Sequence, residues 1–421
     1  MRPWSRTTRR IRRFSAEEVT TTSERETPSG SHAISSRAVE TIWRKVRLYY
    51  GLGLHPAIAL CIRHRGQVIL DRAIGHARGN GPNESTSAPR VLATPDTVFN
   101  IFSATKPVTA MLALRLVERG ELSLDDRVAD FIDGFERHGK QGVRIRHLLN
   151  HRAGLWRTPA HCANVQILPH WNKIVEEMRD LKPESPPGKE LAYHALTAGF
   201  ILAEVIQQVT GKSLRTSLHT EIRKPLGFNS FTFGVEERSL SDVAVDSVTG
   251  PRTPHAISRI LTESLGVDLP GLARVSNDPR YRTSVVPSGN LMSTPNEACR
   301  FFECLRRGGE LDGTRVFRPD TVRLATRAQN HRELDRVIRF PMRYGLGFML
   351  GDEPFSLYGH ETPHAFGHLG FSQILLWCDP ERELSVAFIN TGKPLFTLEF
   401  VVWRDILNTI AAEIPRSRRL R

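Results

Sequence analysis

A serine and a lysine three residues apart, Ser103 and Lys106, follow the apolar run Val98-Phe99-Asn100-Ile101-Phe102 and lead into Pro107-Val108-Thr109-Ala110. If a helix opens near Ser103, the two side chains share a face, with about 5–6 Å between their Cβ atoms. The amine can then reach the hydroxyl. A serine becomes a nucleophile when a base takes its proton, and a lysine serves as that base only if its usual pKa of about 10.4 is lowered by burial or by nearby cations. A helix N-terminus helps, because its dipole disfavours the protonated amine and its unpaired N–H groups can bind an oxyanion. The same spacing also arises from a helix cap followed by a solvated lysine. The apolar neighbours Val108, Met111, Leu112 and Leu114 favour the chemical reading. Pro107, tolerated only in a first turn, places the helix start at or just before Ser103.

Tyr193, in Pro187-Gly188-Lys189-Glu190-Leu191-Ala192-Tyr193-His194, stands where a turn enters a helix. It reads either as a packed aromatic or as a phenol that shuttles the Ser103 proton to a leaving group. His194 beside it reads as structural. Residues His360-Glu361-Thr362-Pro363-His364 match a zinc-hydrolase pattern in letters. That chemistry needs both histidines one turn apart on a continuous helix, and Pro363 with Gly359 and Gly367 opposes one. The match is read as a decoy, so no metal or other cofactor is expected. A Gly-x-Ser-x-Gly elbow is absent from the sequence, as are phosphate-cradling glycine loops.

The elements that must position these residues follow from periodicity and punctuation. Residues 1–36 are polar and aperiodic and are expected to be a disordered basic tail. A helix is expected over about 39–50, then a hairpin from Ala57–Ile62 and Gln67–Asp71 around Arg65-Gly66. The helix from about Ser103 should stop at Gly120. Helices are also expected at 171–181, 195–210, 295–307 and 397–414, the third of these capped by Thr294 with Pro295 at its first position. Residues 344–350, 371–378 and 384–390 read as strands, and His368-Leu369-Gly370-Phe371 as the opening of one. Residues 230–290 give no clear assignment. Strands at both ends with helices between them imply an α+β chain, with one antiparallel sheet built from the two termini and a helical insertion.

At 421 residues, with 40% hydrophobic and 24% charged residues, the chain has material for a large core. Its formal charge of +13 is concentrated at the ends, in Arg2, Arg6, Arg9, Arg10, Arg12 and Arg13 and in Arg416, Arg418, Arg419 and Arg421. The body between is close to neutral. Neither end carries interleaved aromatics or a groove-reading motif, so nucleic acid is not an expected partner. Of five scattered cysteines without a Cys-x-x-Cys pair, most are expected to be reduced and partly buried. With neither an apolar leader nor a bilayer-length run in the sequence, a cytoplasmic protein without membrane insertion is expected.

Taken in order, Ser103-Ala-Thr-Lys106, Leu122-Ser-Leu-Asp-Asp126, His147-Leu-Leu-Asn-His-Arg-Ala-Gly-Leu155, Pro187-Gly188, Tyr193-His-Ala195 and Gly367-His-Leu-Gly-Phe371 resemble the serine β-lactamase-like superfamily. The resemblance is to class C β-lactamase-related carboxylesterases and penicillin-binding-protein-like serine hydrolases, and it spans about residues 38–412. It implies a β-lactamase-like two-lobed fold over 37–415, with a sheet lobe from about 37–102 and 285–415, a helical lobe over 103–284, and a basic tail at 416–421. It also implies Ser103 as the acylated nucleophile, Lys106 as its base and Tyr193 as the proton shuttle. The Ser103 and Phe371 backbone N–H groups would form the oxyanion hole, and His368, Leu369 and Gly370 would line the substrate. Where lactamases carry Tyr-x-Asn and Lys-Thr-Gly, this chain has Tyr193-His194-Ala195 and His368-Leu369-Gly370. The implied activity is therefore hydrolysis of small or medium acyl esters, with oligomeric state open. An acyltransferase, a D-residue peptidase, a weak β-lactamase working on an amide, a catalytically silent ligand-binding relative, and the zinc hydrolase that His360 and His364 would imply are the alternatives.

Overall fold

A computed structural model describes residues 8–27, 34–82, 84–159, 164–395 and 399–417. Its organising element is a mainly antiparallel sheet in the order β1-β3-β2-β7-β6-β5-β4. The strands are β1 (Thr20–Thr22), β2 (Ala57–His64), β3 (Gln67–Arg78), β4 (Met349–Leu350), β5 (Phe366–Leu369), β6 (Leu375–Asp379) and β7 (Leu384–Asn390). The chain's two ends meet where β2 pairs with β7, Ile58 opposite Asn390 and His64 opposite Leu384.

Both faces of this sheet are covered, so its strands alternate in size rather than in polarity. Ile58, Leu60 and Ile62 point into one core with Trp377, Val386 and Phe388. That side is closed by helices α1 (Ser36–Gly51) and α8 (Glu399–Glu413), through Ile42, Val46, Trp403 and Ile406. Ala57, Ala59, Cys61 and Ala387 point to the other side, where small side chains let helices approach closely. The elements there include α2 (Lys106–Arg119), α3 (Trp171–Asp180), α4 (Thr197–Thr210), α5 (His255–Leu265), α6 (Leu269–Asn277) and α7 (Pro295–Arg306). α7 is capped by Thr294, whose side chain accepts the Glu297 N–H. α2 ends at Gly120 in the left-handed conformation. The four described cysteines, Cys61, Cys299, Cys304 and Cys378, are free and buried, and Cys162 lies outside the described residues.

Several expectations need correction. Within the supposed tail, residues 8–27 are structured: Thr20–Thr22 pair with Ile74–Arg72 of β3, and Ile11 and Val19 are buried. Arg25 bridges Asp71 at 2.9 Å and Glu26 bridges Arg72 at 2.7 Å. These ion pairs tie the segment to β3, and three residues of strand are too few to show a period. In the second tail, Arg416 donates to Glu361 O and Ser417 to Glu381 O, each at 2.9 Å. The strand expected at 371–378 is a hairpin: His368 and Leu369 end β5, Ser372 and Gln373 take positive φ, and β6 starts at Leu375. Of 344–350, only Met349–Leu350 is strand. The unassigned 230–290 stretch contains α5 and α6. Among the described residues, no helix is long and apolar enough to cross a membrane.

One close approach ties the sheet to the helix that follows Ser103. Gly347 has φ +83°, and a Cβ there would lie 2.2 Å from the Ala110 Cβ of α2. Gly347→Ala is expected to destabilise the fold by about 2 kcal/mol or more, through overpacking and a strained φ, measured by denaturant unfolding.

Candidate active site

Ser103 sits in a short 3₁₀ turn, Phe102–Thr105, that runs directly into α2. The helix expected at Ser103 is thus a tight turn first and α-helix only from Lys106. Phe102, the preceding residue, takes φ +49°, an unfavourable conformation for a side chain of this size. Asn100 holds it there, its Oδ1 accepting the Phe102 N–H at 3.1 Å. Thr105 Oγ1 accepts the Leu291 N–H at 3.0 Å, and Thr109 donates to Pro287 O at 2.6 Å. These bonds fix the start of α2 against residues 287–291.

Lys106 Nζ lies 3.1 Å from Ser103 Oγ, 2.8 Å from Ala195 O and 3.3 Å from Ser288 O. The side chain is buried, and burial holds its pKa well below the ordinary lysine value. A neutral amine has two N–H groups and one lone pair. Two carbonyls, which only accept, take the N–H groups, and the lone pair is left for the Ser103 hydroxyl. The arrangement can therefore draw a proton from Ser103.

Tyr193 packs over the same amine, with Nζ 4.7 Å from its ring centroid. Burial raises the phenol pKa, a hydrogen bond with Ser103 lowers it, and the nearby Asp335 raises it, for a net upward shift. The phenol stays protonated and can relay a proton. Its backbone is braced by Asp335, whose Oδ1 accepts the N–H groups of Tyr193, Val337 and Ile338 at 3.1, 2.8 and 2.9 Å. Asp335 Oδ2 accepts the Tyr344 hydroxyl at 3.1 Å. Asp335→Ala would strand four donors and is expected to lower stability by about 2–4 kcal/mol, read by denaturant unfolding.

The His368-Leu369-Gly370-Phe371 segment runs opposite Ser103. Phe371 and Phe102 rings lie 6.0 Å apart, and a Cβ on Gly370 would fall 2.6 Å from Ile101 O, so only glycine allows this approach. Among the described residues, no acceptor is found for the Ser103 or Phe371 backbone N–H. His368 is fully buried, 5.9 Å from the Tyr193 ring. Its Nδ1 faces Leu369 O at 2.6 Å, which requires the proton on Nδ1 and a lone pair on Nε2. Burial pushes its pKa down to about 3, so it is neutral.

Other expectations sort plainly. His194 is structural: its Nε2 accepts the Leu155 N–H at 3.0 Å, and burial lowers its pKa to about 3. His360 to His364 do not lie on a helix. Glu361 takes φ +52°, its carbonyl is held by Arg382, and His364 faces Glu381 at 3.3 Å. Among the described residues, no group of three or more His, Cys, Asp and Glu is placed to hold a metal.

Residues that sequence reasoning missed include Asp335, Tyr344 and Lys393. Lys393 is buried, pairs with Asp246 at 3.1 Å, donates to Asn390 O at 2.9 Å, and lies 4.7 Å from the Phe102 ring centroid. Asn390 Nδ2 in turn donates to Ser372 O at 2.9 Å in the β5–β6 turn. One loop thus supports both the Phe102 side and the Phe371 side of the site. None of these residues belongs to a local motif, so only their contacts reveal them.

The Beta-lactamase family model matches residues 51–408. The chain belongs to the Beta-lactamase family. Among its relatives is the esterase/beta-lactamase LipL of Mycobacterium tuberculosis, 28% identical over 376 residues, which are 86% of this chain and 83% of that protein. Two solved structures share the fold. A penicillin-binding protein homolog from Caulobacter crescentus has TM-score 0.75 at 24% identity, covering 91% of this chain and 99% of its own. A family VIII carboxylesterase has TM-score 0.74 at 23% identity, covering 90% and 99%. This Beta-lactamase family member is a serine hydrolase by kinship.

Proposed function

We propose that this family member is a carboxylesterase that works through an acyl-enzyme on Ser103. The observation that carries the reading is the buried Lys106 amine, with Nζ 3.1 Å from Ser103 Oγ and within hydrogen-bond distance of Ala195 O and Ser288 O; in the neutral amine the two carbonyls take its N–H groups and the lone pair is left for Ser103. Ser103 Oγ attacks the ester carbonyl carbon as its proton passes to Lys106 Nζ, and the carbonyl π pair moves onto oxygen. The Ser103 and Phe371 N–H groups stabilise that oxyanion. When the pair returns, the bond to the alkoxy oxygen breaks, and the departing oxygen takes the proton by way of Lys106 and the Tyr193 phenol. Water then attacks the acyl-enzyme, gives its proton to the same pair of residues, and releases the acid while Ser103 regains its hydrogen.

The ester reading is preferred to lactam or D-peptide hydrolysis on the charges around Ser103. Ala195 offers no side-chain amide, and His368 is neutral where a cation would grip a substrate carboxylate. The test is intact-mass spectrometry after treatment with a fluorophosphonate, with peptide mapping and turnover of short-chain nitrophenyl esters. One label on Ser103 with ester turnover is expected. Folded protein that takes no label there would remove the proposal.

A further inference from the structure

Ser103 opens on one side into a narrow cavity of about 60 Å³. Its outer wall comes from α5 and α6 and the link between them, through Leu265, Val267, Leu272 and Val275, facing Leu196 and Phe200 on the other side. These helices turn Arg259, Glu263 and Arg274 outward to solvent, while the four apolar residues remain only partly covered. Helices that packed tightly onto the core would bury them. Among the described residues, no Asp, Glu, Lys, Arg or His lines the space. Of the hydroxyls in the wall other than Ser103, Tyr281 donates to Gly289 O at 2.5 Å and Ser288 to Leu196 O at 3.4 Å, so both are already committed.

The side on which this cavity lies decides which half of an ester enters it. The departing alkoxy oxygen must receive the proton held by Lys106 and Tyr193, so it leaves toward them. The cavity is bounded by Phe102, Ser103 and Phe371, and neither Lys106, Tyr193 nor His368 lines it. What stays bonded to Ser103 Oγ while the alkoxide departs the other way is the acyl group.

We infer that the α5–α6 wall forms an acyl-binding pocket selecting uncharged, apolar acyl groups of medium length. The inference rests on the proposal that Ser103 is the acylated residue. An acyl chain ending in a carboxylate meets no partner there, and desolvating an unpaired charge is costly. Each methylene added to the acyl chain, until the pocket is full, should raise kcat/KM by about fourfold from apolar burial.

Isomeric esters separate the acyl side from the alcohol side. Ethyl hexanoate and hexyl acetate have the same atoms, and ethyl hexanoate is expected to be hydrolysed at least tenfold better in kcat/KM. Monoethyl adipate, with a carboxylate at the chain end, should be at least 100-fold worse than ethyl hexanoate. Leu272→Trp, and separately Val275→Trp, should lower the ratio of ethyl hexanoate to ethyl acetate in kcat/KM by at least tenfold. Unfolding midpoints identify a variant that fails to fold, and the wild-type ester series stands without either. Preference for hexyl acetate, equal turnover of the adipate, or an unchanged ratio in both folded variants overturns the inference. A fluorophosphonate label on Ser103 in the same preparation keeps such a failure separate from failure of the acyl-enzyme proposal.

Discussion

Ser103→Ala is expected to lower ester turnover by at least ~10⁴-fold while leaving the unfolding midpoint nearly unchanged, because it removes the proposed nucleophile. The hydroxyl contributes little to the fold. It meets Lys106 Nζ and the Tyr193 phenol; the amine keeps the Ala195 carbonyl without it, and the phenol ring stays packed over that amine. The check is steady-state kinetics with a nitrophenyl ester, alongside intact mass after brief exposure to substrate. Wild-type protein should show a transient acyl adduct and the variant none. Retention of turnover within tenfold would place the nucleophile elsewhere.

Lys106 should give the next largest effect, and its pH dependence carries more information than its size. Lys106→Ala is expected to reduce kcat by about 10³-fold, within the usual range for loss of a general base. Lys106→Arg should be equally impaired, because a guanidinium does not deprotonate in this pH range. The wild-type sign follows from the shift: burial lowers the amine's pKa, so the active neutral form is present above that value and is lost as pH falls through it. The acid limb of kcat/KM should therefore lie well below the ordinary lysine pKa of about 10.4. His194 and His368 are pushed by burial to about 3, and His151 well below its usual value, so none of them should titrate in the neutral range. Burial also raises the Tyr193 pKa, and no alkaline loss is expected near the ordinary phenol value. Rate-pH profiles of wild type and Lys106→Arg test this together, and an unchanged acid limb in the arginine variant would contradict the assignment.

A third result is expected at Lys393. Lys393→Met should lower kcat by about tenfold or more with little change in KM, since it loosens supports for Phe102 and the β5–β6 turn rather than a contact with substrate. Asp246 loses its partner in that variant, so Ser372→Ala serves as a second probe, removing the hydroxyl that donates to Pro394 O at 2.6 Å. Affinity for a boronic acid transition-state mimic should fall in parallel with kcat in both. A loss of thermal stability alone, with that affinity intact, would reduce these residues to a structural role.

Local order along the chain was enough for part of this protein. Ser103 and Lys106 meet because three residues of helical backbone put them on one face, and the Thr294-Pro295 start of α7 and the Gly120 stop of α2 are local geometry as well. The pairing of β2 with β3 across Arg65-Gly66 was similarly legible. Periodicity fails where an element is short, as in Thr20–Thr22. α5 and α6 do carry apolar residues at helical spacing, but they are short and set among the Ser, Thr, Pro and Arg residues of 230–290.

What places the Lys106 amine for its proposed role toward Ser103 was decided elsewhere. The carbonyls that hold Lys106 come from Ala195 and Ser288, 89 and 182 residues away, and a backbone oxygen has no residue identity to read. Asp335 braces Tyr193 across 142 residues, and the segment leading to Phe371 comes close to Ile101 O because Gly370 has no Cβ. Sequence determined which reactive groups the chain owns and which local turns present them. Tertiary packing decided their protonation, their common orientation and the apolar space beside them, because desolvation and long-range contacts exist only once the distant segments have come together.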